Sequence, residues 1–405
     1  MCKILQNMNQ RKLKKLRKKS LSEEFTVNNV LIKGWFPNIK KDKNLKNALK
    51  HITKIKDISS HIAIMPDYSV SKNSINGLII PTENNIYPEI IGGDIGCGML
   101  SLSIPAKYEE IEKNLKDIYK LAYSQIPTGN RQHPKLPDFV LDSSLFNTDL
   151  ELLTNKLKQK AAHQLGTLGS GNHFIELQMN QQQYLNIMIH TGSRNLGQVI
   201  AKFFREKATR SSNNGPLFLE GKSSDGKNYL DHHQFAQKYA QQNRLTIANN
   251  FYDLLSSYLP KLNDQEIKSK VFNNIIDLPH NYVFVENHTT NKYIHRKGAI
   301  KIPENSFGII PGSMGTKSYI VIGRGNPDSF YSASHGAGRK LFRSDTNKIS
   351  YKDFQNSIEH VVSRKDNKIV NECPLAYNDI DTIMSYQKDL VKISEQLIPI
   401  INIKG

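Results

Sequence analysis

Three kinds of residue are scarce in this chain. Of 405 residues three are cysteine (Cys2, Cys97, Cys373) and one is tryptophan, and 37 Asp and Glu face 55 Lys and Arg. Three cysteines cannot make a disulfide framework, so a reducing compartment is expected, and a chemically special cysteine is expected to bind metal. Long apolar stretches are missing too: no run reaches the roughly 18 residues of a membrane span, and the N-terminus carries no secretory-type apolar segment. The expectation is a soluble, cytoplasmic protein without membrane association. The shortage of acid leaves a formal charge of +18 and a sequence pI near 9.5. That balance favours a polyanionic partner and leaves RNA, DNA and acidic lipid open.

What is present suffices for a large core, since 38% of residues are hydrophobic. Part of the charge is local: "RKLKKLRKK" at 11–19 is basic at seven of nine positions. It reads either as a solvated arm or as a phosphate-contacting extension that steepens the salt dependence of nucleic-acid binding. With residues 1–24 taken as this arm, 25–405 reads as one large α+β domain. "HIAIMPD" and "INGLIIPT" have strand character, with a polar loop over 68–74 between them, and apolar spacing predicts a helix over 108–125 followed by a loop. "YLNIMIHTGSRNLGQVIAKFFREKA" predicts strand, turn and helix, and a helical excursion covers about 199–275. "HNYVFVENHT" and "SYIVIGRG" return to strand, and no internal repeat or flexible linker interrupts the order.

Several turns carry unusual chemistry. "GGDIGCGML" sets Asp94 and Cys97 in a glycine-bracketed turn, where a carboxylate and a thiolate can converge. A thiolate can bridge two cations, and a mixed Asp/Cys/His set suits borderline ions such as manganese or zinc better than magnesium or calcium. "GSGNHFIEL" supplies His173, "IMIHTGSRNLG" supplies His190 at a strand end and "LPHNYVFVE" supplies His280 at a strand start. Any one of them fits a structural role, whereas together with Asp94 and Cys97 they form a candidate metal set. In "TGSRNLG" the helix start and Arg194 suit an anion, while a cap by Ser193 or Asn195 would account for the same residues. "IIPGSMGTKSYIV" is a Gly/Ser loop that suits a phosphate or a base, or is only a turn. "SASHGAGRKLFR" places His335 before Gly336 and Gly338, with Arg339 and Arg343 beyond. It is either a surface loop or a backbone cradle for phosphate, with imidazole as a nucleophile on phosphorus.

In order along the chain, "GGDIGCGM", "GTLGSGNHFIE", "HTGSRNLG", "HNYV", "RKGA", "PGSMGTKSYIV", "SHGAGR", "ECPLAYNDID" and the terminal "KG" closely resemble the RtcB family of GTP-dependent RNA-splicing ligases. The resemblance covers nearly all of the chain except the basic arm. It implies a single large domain of the RtcB type, with strands around a metal-containing cleft. Asp94, Cys97, His173, His190 and His280 then hold two Mn2+ ions, Cys97 bridging them, and His335 attacks the α-phosphate of GTP to form a covalent histidine–GMP. The implied nucleotide contacts are Asn172, His173, Phe174, Ile175, Glu176, His280, Asn281, Pro311, Gly312, Ser313, Met314, Ser318, His335, Gly336, Ala337, Gly338, Tyr377 and Lys404, with Tyr377 near the guanine. Arg194 and Arg339 are the implied RNA-phosphate contacts. The implied reaction, in RNA repair or tRNA splicing, joins RNA ends bearing a 2′,3′-cyclic phosphate or 3′-phosphate to 5′-hydroxyl ends. An archease-like activator is among the partners the family admits, and a monomer is compatible with it.

The chain departs from the family pattern at "MPDYSVSKN", where Asp67 and Lys72 remain but Ser69, Ser71 and Asn73 replace a histidine and two glycines. Gly93 stands where valine is usual, and Asn195 where glycine is common. A divergent repair-type branch is the expectation from the altered loop. Two other functions compete with ligation: a dinuclear-metal RNA-end phosphoesterase, which has no use for a guanylated His335, and an inactive RNA-binding paralogue.

Overall fold

Alternating isoleucine, leucine and valine build two large β-sheets, because β-branched side chains pack well on a pleated surface. A computed structural model describes residues 22–71, 74–136, 144–210, 214–286 and 293–405. The basic segment 11–19, with Cys2, Lys72 and Asn73, lies outside them.

One sheet has six strands in the order β1 (Glu23–Val27), β2 (Val30–Gly34), β3 (His61–Ser71), β4 (Ser74–Thr82), β13 (Tyr293–Lys297) and β12 (Asn281–Phe284). Only β2 and β3 run parallel in it. The other is antiparallel throughout and orders β11 (Ile276–Pro279), β6 (Gly98–Lys107), β8 (Tyr184–Thr191), β7 (Phe174–Asn180), β18 (Val391–Ile403), β16 (Ser318–Gly323) and β15 (Phe307–Ile310). Two small sheets pair β5 (Asn85–Ile86) with β10 (Leu217–Glu220) and β9 (Thr209–Arg210), and β14 (Ala299–Lys301) with β17 (Ser332–Ser334). The helical excursion comprises Arg194–Lys207, Ser224–Ser256 and Gln265–Asn273, interrupted by β9 and β10.

Leu100, Leu102, Ile187 and Ile189 of the seven-stranded sheet bury against Phe251, Tyr252 and Leu255 of the long helix. Leu45, Leu49 and Ile52, at helical spacing on Lys43–Ile52, close the six-stranded sheet against Ile62, Ile64 and Ile80. The helix expected over 108–125 begins later, as two 3-10 turns followed by Leu115–Gln125. The loop expected over 68–74 is corrected: β3 runs to Ser71 and β4 starts at Ser74, with Ser69 opposite Asn76 and Ser71 opposite Ser74. Tyr68 and Val70 pack against the core while residues 68–71 all border the cleft, and two apolar residues among serines are too short an alternation to mark a strand.

Register carries four of the five candidate ligands to one end of the seven-stranded sheet. Cys97 immediately precedes β6, whose Gly98 pairs with both Thr191 and Pro279. His190 is the partner of Met99 on one side and of Phe174 on the other. His173 therefore sits just before β7, and His280 lies in the step between β11 and β12. The long helix fixes this end. Buried Arg244 donates from Nε to Asp277 Oδ1 (2.6 Å) and from Nη1 to the carbonyls of Gly96 (2.9 Å) and Thr191 (3.0 Å). Removing one partner of a buried pair strands the other charge, so Arg244→Ala should cost about 3–5 kcal/mol in a denaturant melt. A loss near zero would show that the pair does not hold this end together.

Candidate active site and metal centre

Two clusters of ligand-type atoms share one sulfur. Cys97, His190 and His280 form one group, Asp94, Cys97 and His173 the other, and within each the ligand atoms lie within 4.8 Å of one another. Cys97 Sγ is 3.2 Å from His190 Nε2 and 3.4 Å from His173 Nε2. His190 Nε2 is 3.3 Å from His280 Nε2, and His173 Nε2 is 3.6 Å from Asp94 Oδ2.

The surroundings orient these rings. His173 Nδ1 lies 3.2 Å from the Leu168 carbonyl and His190 Nδ1 3.2 Å from the Asn172 carbonyl, which sets both as Nδ1–H donors and leaves each Nε2 lone pair facing the cluster. Burial, reinforced by neighbouring imidazoles, holds His190 and His280 well below the ordinary histidine value, so both are neutral at pH 7 with lone pairs available to a metal. Burial also works against ionisation of Asp94, but His173 overrides it and keeps the carboxylate below its ordinary range. Burial and Asp94 push the Cys97 thiol well above its ordinary value. Without a cation nearby the sulfur keeps its proton, and a bound cation would expel it. One carboxylate, one shared thiolate and three imidazoles fit a pair of borderline divalent ions.

Two glycine features become legible here. A Cβ on Gly192 would sit 2.5 Å from Asp94 Oδ1 and 3.1 Å from the Cys97 Cα, so a side chain there would displace the ligands. At Gly93 the end of the Gln198 side chain occupies the space a Cβ would need, with Oε1 2.2 Å away, so a side chain there requires Gln198 to move.

His335 follows β17 and lies beside the clusters, its ring centroid 4.8 Å from that of His280. Asp67, wholly buried, lies against it. Asp67 Oδ2 accepts the backbone N–H of His335 (3.0 Å) and Gly336 (3.1 Å), and stands 2.6 Å from His335 Nδ1 without the alignment of a hydrogen bond. Nδ1 is thereby directed at the carboxylate, leaving Nε2 for chemistry. Gly338 has φ 69°, and a Cβ there would meet the Asp67 carbonyl at 2.2 Å. The glycine therefore admits the Asp67 backbone, where the sequence pattern had suggested room for phosphate.

His335 opens onto a cleft of about 670 Å³. Of the implied nucleotide contacts, Asn172, Phe174, Pro311 to Met314, His335 to Gly338, Tyr377 and Lys404 line it. His173 and His280 belong to the clusters. Ile175, Glu176, Asn281 and Ser318 lie behind the cleft walls. Glu176 accepts from Gln178 Nε2 and Asn402 Nδ2, both at 2.6 Å, and burial raises its pKa to about 7 despite those donors and Lys404. Ser318 Oγ accepts from the Gly312 N–H (3.1 Å), shaping the Gly/Ser loop. The Asn281 amide clamps backbone, donating to the Asp94 carbonyl (3.3 Å) and accepting from Gly298 N–H (2.8 Å).

Of the two cations implied for RNA, Arg339 lines the cleft, with its guanidinium 5.0 Å from the Tyr377 ring centroid. Arg194, at φ 54°, donates to Thr167 Oγ1 (3.1 Å) and to the Gly129 carbonyl (2.9 Å). The cap considered for this helix is corrected: Ser193 donates to the Ile95 carbonyl (2.6 Å) and makes no side-chain cap, because that hydroxyl ties the helix start to the Asp94–Cys97 turn.

Glu372, which opens "ECPLAYNDID", is a functional candidate that the motifs left unassigned. It accepts from Tyr377 (2.5 Å) and sits 3.1 Å from Arg343, 3.5 Å from Arg339 and 3.7 Å from Lys404. Burial opposes its ionisation, yet those cations and Tyr377 keep its pKa below the ordinary value. One carboxylate against three cations leaves this wall positive, which suits a polyphosphate.

The family described as tRNA-splicing ligase RtcB matches residues 48–143 and 138–405. The chain is 35% identical over 408 residues to an RNA-splicing ligase RtcB of Escherichia coli (strain K12), covering 95% of this chain and 99% of that protein. It is 28% identical over 446 residues to a tRNA-splicing ligase RtcB of Nanoarchaeum equitans (strain Kin4-M), covering 91% and 92%. With an RNA-splicing ligase RtcB2 of Escherichia coli (strain ATCC 25922) it shares 28% over 352 residues, 79% of this chain and 81% of that one.

Proposed function

The chain belongs to the RtcB family, and from that membership we propose that it is a GTP- and manganese-dependent RNA ligase working through a guanylated histidine. The observation that carries the reading is the adjacency of His335, directed by Asp67, to two ligand clusters sharing Cys97.

Asp94, Cys97, His173, His190 and His280 would hold two Mn2+ ions, whose charge would neutralise phosphoryl oxygens during displacement. GTP occupies the cleft with its phosphates towards the Gly/Ser loop and the Arg339, Arg343 and Lys404 wall. His335 Nε2 attacks the α-phosphorus: a P–N bond forms, the bond to the bridging oxygen breaks and pyrophosphate leaves. Asp67 holds the ring and balances the charge it gains as a phosphoramidate. In the second step an oxygen of the RNA 3′-phosphate attacks the same phosphorus, breaking P–N and moving GMP to the RNA. The 5′-hydroxyl then attacks the 3′-phosphate and expels GMP. A 2′,3′-cyclic end is first opened by water to the 3′-phosphate.

Arg343, 52% exposed at its side chain, joins Arg339 and Arg194 as an RNA-phosphate cation, two of the Arg194 N–H groups being taken by Thr167 and Gly129. The test is RNA with a 2′,3′-cyclic phosphate at one end and a 5′-hydroxyl at the other, incubated with GTP and Mn2+. Joined product is expected, with one GMP released per junction. Opening or removal of the phosphate with no joined product would instead support the phosphoesterase.

A further inference from the structure

Beyond the nucleotide site the cleft continues into a second pocket of about 310 Å³, lined by Asn44, Asn47, Ala48, His51, Val70, Ser71 and Phe342. The two cavities share Asn44, Val70, Ser71 and Phe342, so the second pocket adjoins the cleft that holds His335. The helix Lys43–Ile52 presents three stripes. Leu45, Leu49 and Ile52 go to the core, whereas Asn44, Asn47, Ala48 and His51, spaced i, i+3, i+4 and i+7, line the pocket. The third stripe, Lys43, Lys46 and Lys50, is exposed, and no acidic residue occurs on the helix.

Across the pocket, Phe342 is 51% exposed. It stands in a cleft-lining segment that interleaves Arg339, Lys340 and Arg343 with this one aromatic ring. An open aromatic face, exposed amides on the facing helix and lysines outside them make the combination that binds single-stranded nucleic acid: stacking for a base, hydrogen bonds for its edge and charge for its phosphates. The volume is at the lower end of ligand pockets, which suits one nucleoside and not a strand.

We propose that this pocket takes one base of the RNA at or beside the reacting end, stacked on Phe342, with Asn44 and Asn47 at its edge. The identity of the ligand rests on the ligase reading, while the pocket itself is tested by binding alone.

The probes are two short single-stranded RNAs with fluorescent 2-aminopurine as the terminal base, one next to a 3′-phosphate and the other next to a 5′-hydroxyl. Binding to the full chain should quench one of them, and the one quenched assigns the pocket to that end. Phe342→Ala should abolish the quench and weaken binding roughly 5- to 100-fold, the range set by stacking on one aromatic ring. Phe342→Trp should keep both. An Asn44→Ala/Asn47→Ala double variant, on an exposed helix face, should weaken binding of the quenched probe and guards against misfolding of the Phe342 variant. Equal affinity and equal quenching of both probes in wild type and Phe342→Ala would overturn the proposal. Wild type that quenches a probe but takes no label from GTP would sink the ligase mechanism while leaving the base pocket standing.

Discussion

Cys97→Ala should bring bound manganese from two ions per chain to less than one after dialysis, and should take RNA joining with it. Cys97 is the one residue common to both ligand clusters, so its loss removes a donor from each site at once and brings the two cations together with no anion between them. Changing a residue that only supports a ligand already costs about 10- to 100-fold in metal affinity, and a shared ligand should cost more. His173→Ala and His280→Ala, one from each cluster, should each lose one ion preferentially. The same chemistry sets a pH dependence. Burial and Asp94 hold the metal-free Cys97 thiol well above its ordinary value, so the sulfur must release a proton when the cation binds. Manganese affinity should therefore rise with pH and fall in acid, where the histidines also take up protons. Metal content by elemental analysis checks both points, and a Cys97→Ala protein still holding two ions would remove the sulfur from its bridging place.

The parts of the site that were legible in the sequence share a cause. Asp94 and Cys97 sit in a turn bracketed by glycine, His173 follows a Gly-Ser-Gly turn and His190 ends a strand just before Gly192, where a side chain would meet Asp94 and Cys97. The strand, turn and helix from Tyr184 onward were legible because a short, continuously buried run ends at Thr191 and a helical-period pattern begins at Arg194. What joins them was not. Pairing of Gly98 with both Thr191 and Pro279 converts three distant segments into one cluster, and register is a long-range property that no local pattern reports.

Asp67 was read only as part of a retained "MPD", because nothing local says that β3 would carry it beneath His335, more than 260 positions away. Glu372 was hidden similarly, since a lone glutamate in a 3-10 segment carries no sign that Arg339, Arg343 and Lys404 converge on it. Arg194 at a helix start suits an anion by itself, and nothing local in the sequence shows that two of its N–H groups go to Thr167 and Gly129. In "YSVS" only Tyr68 and Val70 carry the strand's alternation, too short a pattern to stand out at the border of the cleft.

The central claim is that His335 carries the guanylate, and the loss of that nucleophile should have the largest effect of any change in the protein. Asp67 stands against Nδ1 and leaves Nε2 open, the ring lies beside His280 of the candidate metal set, and no other histidine among the described residues lines the cleft in contact with a carboxylate. The measurement is incubation of the purified chain with α-32P-GTP and Mn2+, followed by denaturation and treatment with acid or alkali. Wild type should retain label that survives denaturation and alkali but is lost in acid, as a P–N bond requires, and His335→Ala should fall by roughly three orders of magnitude or more. Equal labelling of wild type and His335→Ala, or no label on wild type at all, would contradict the account.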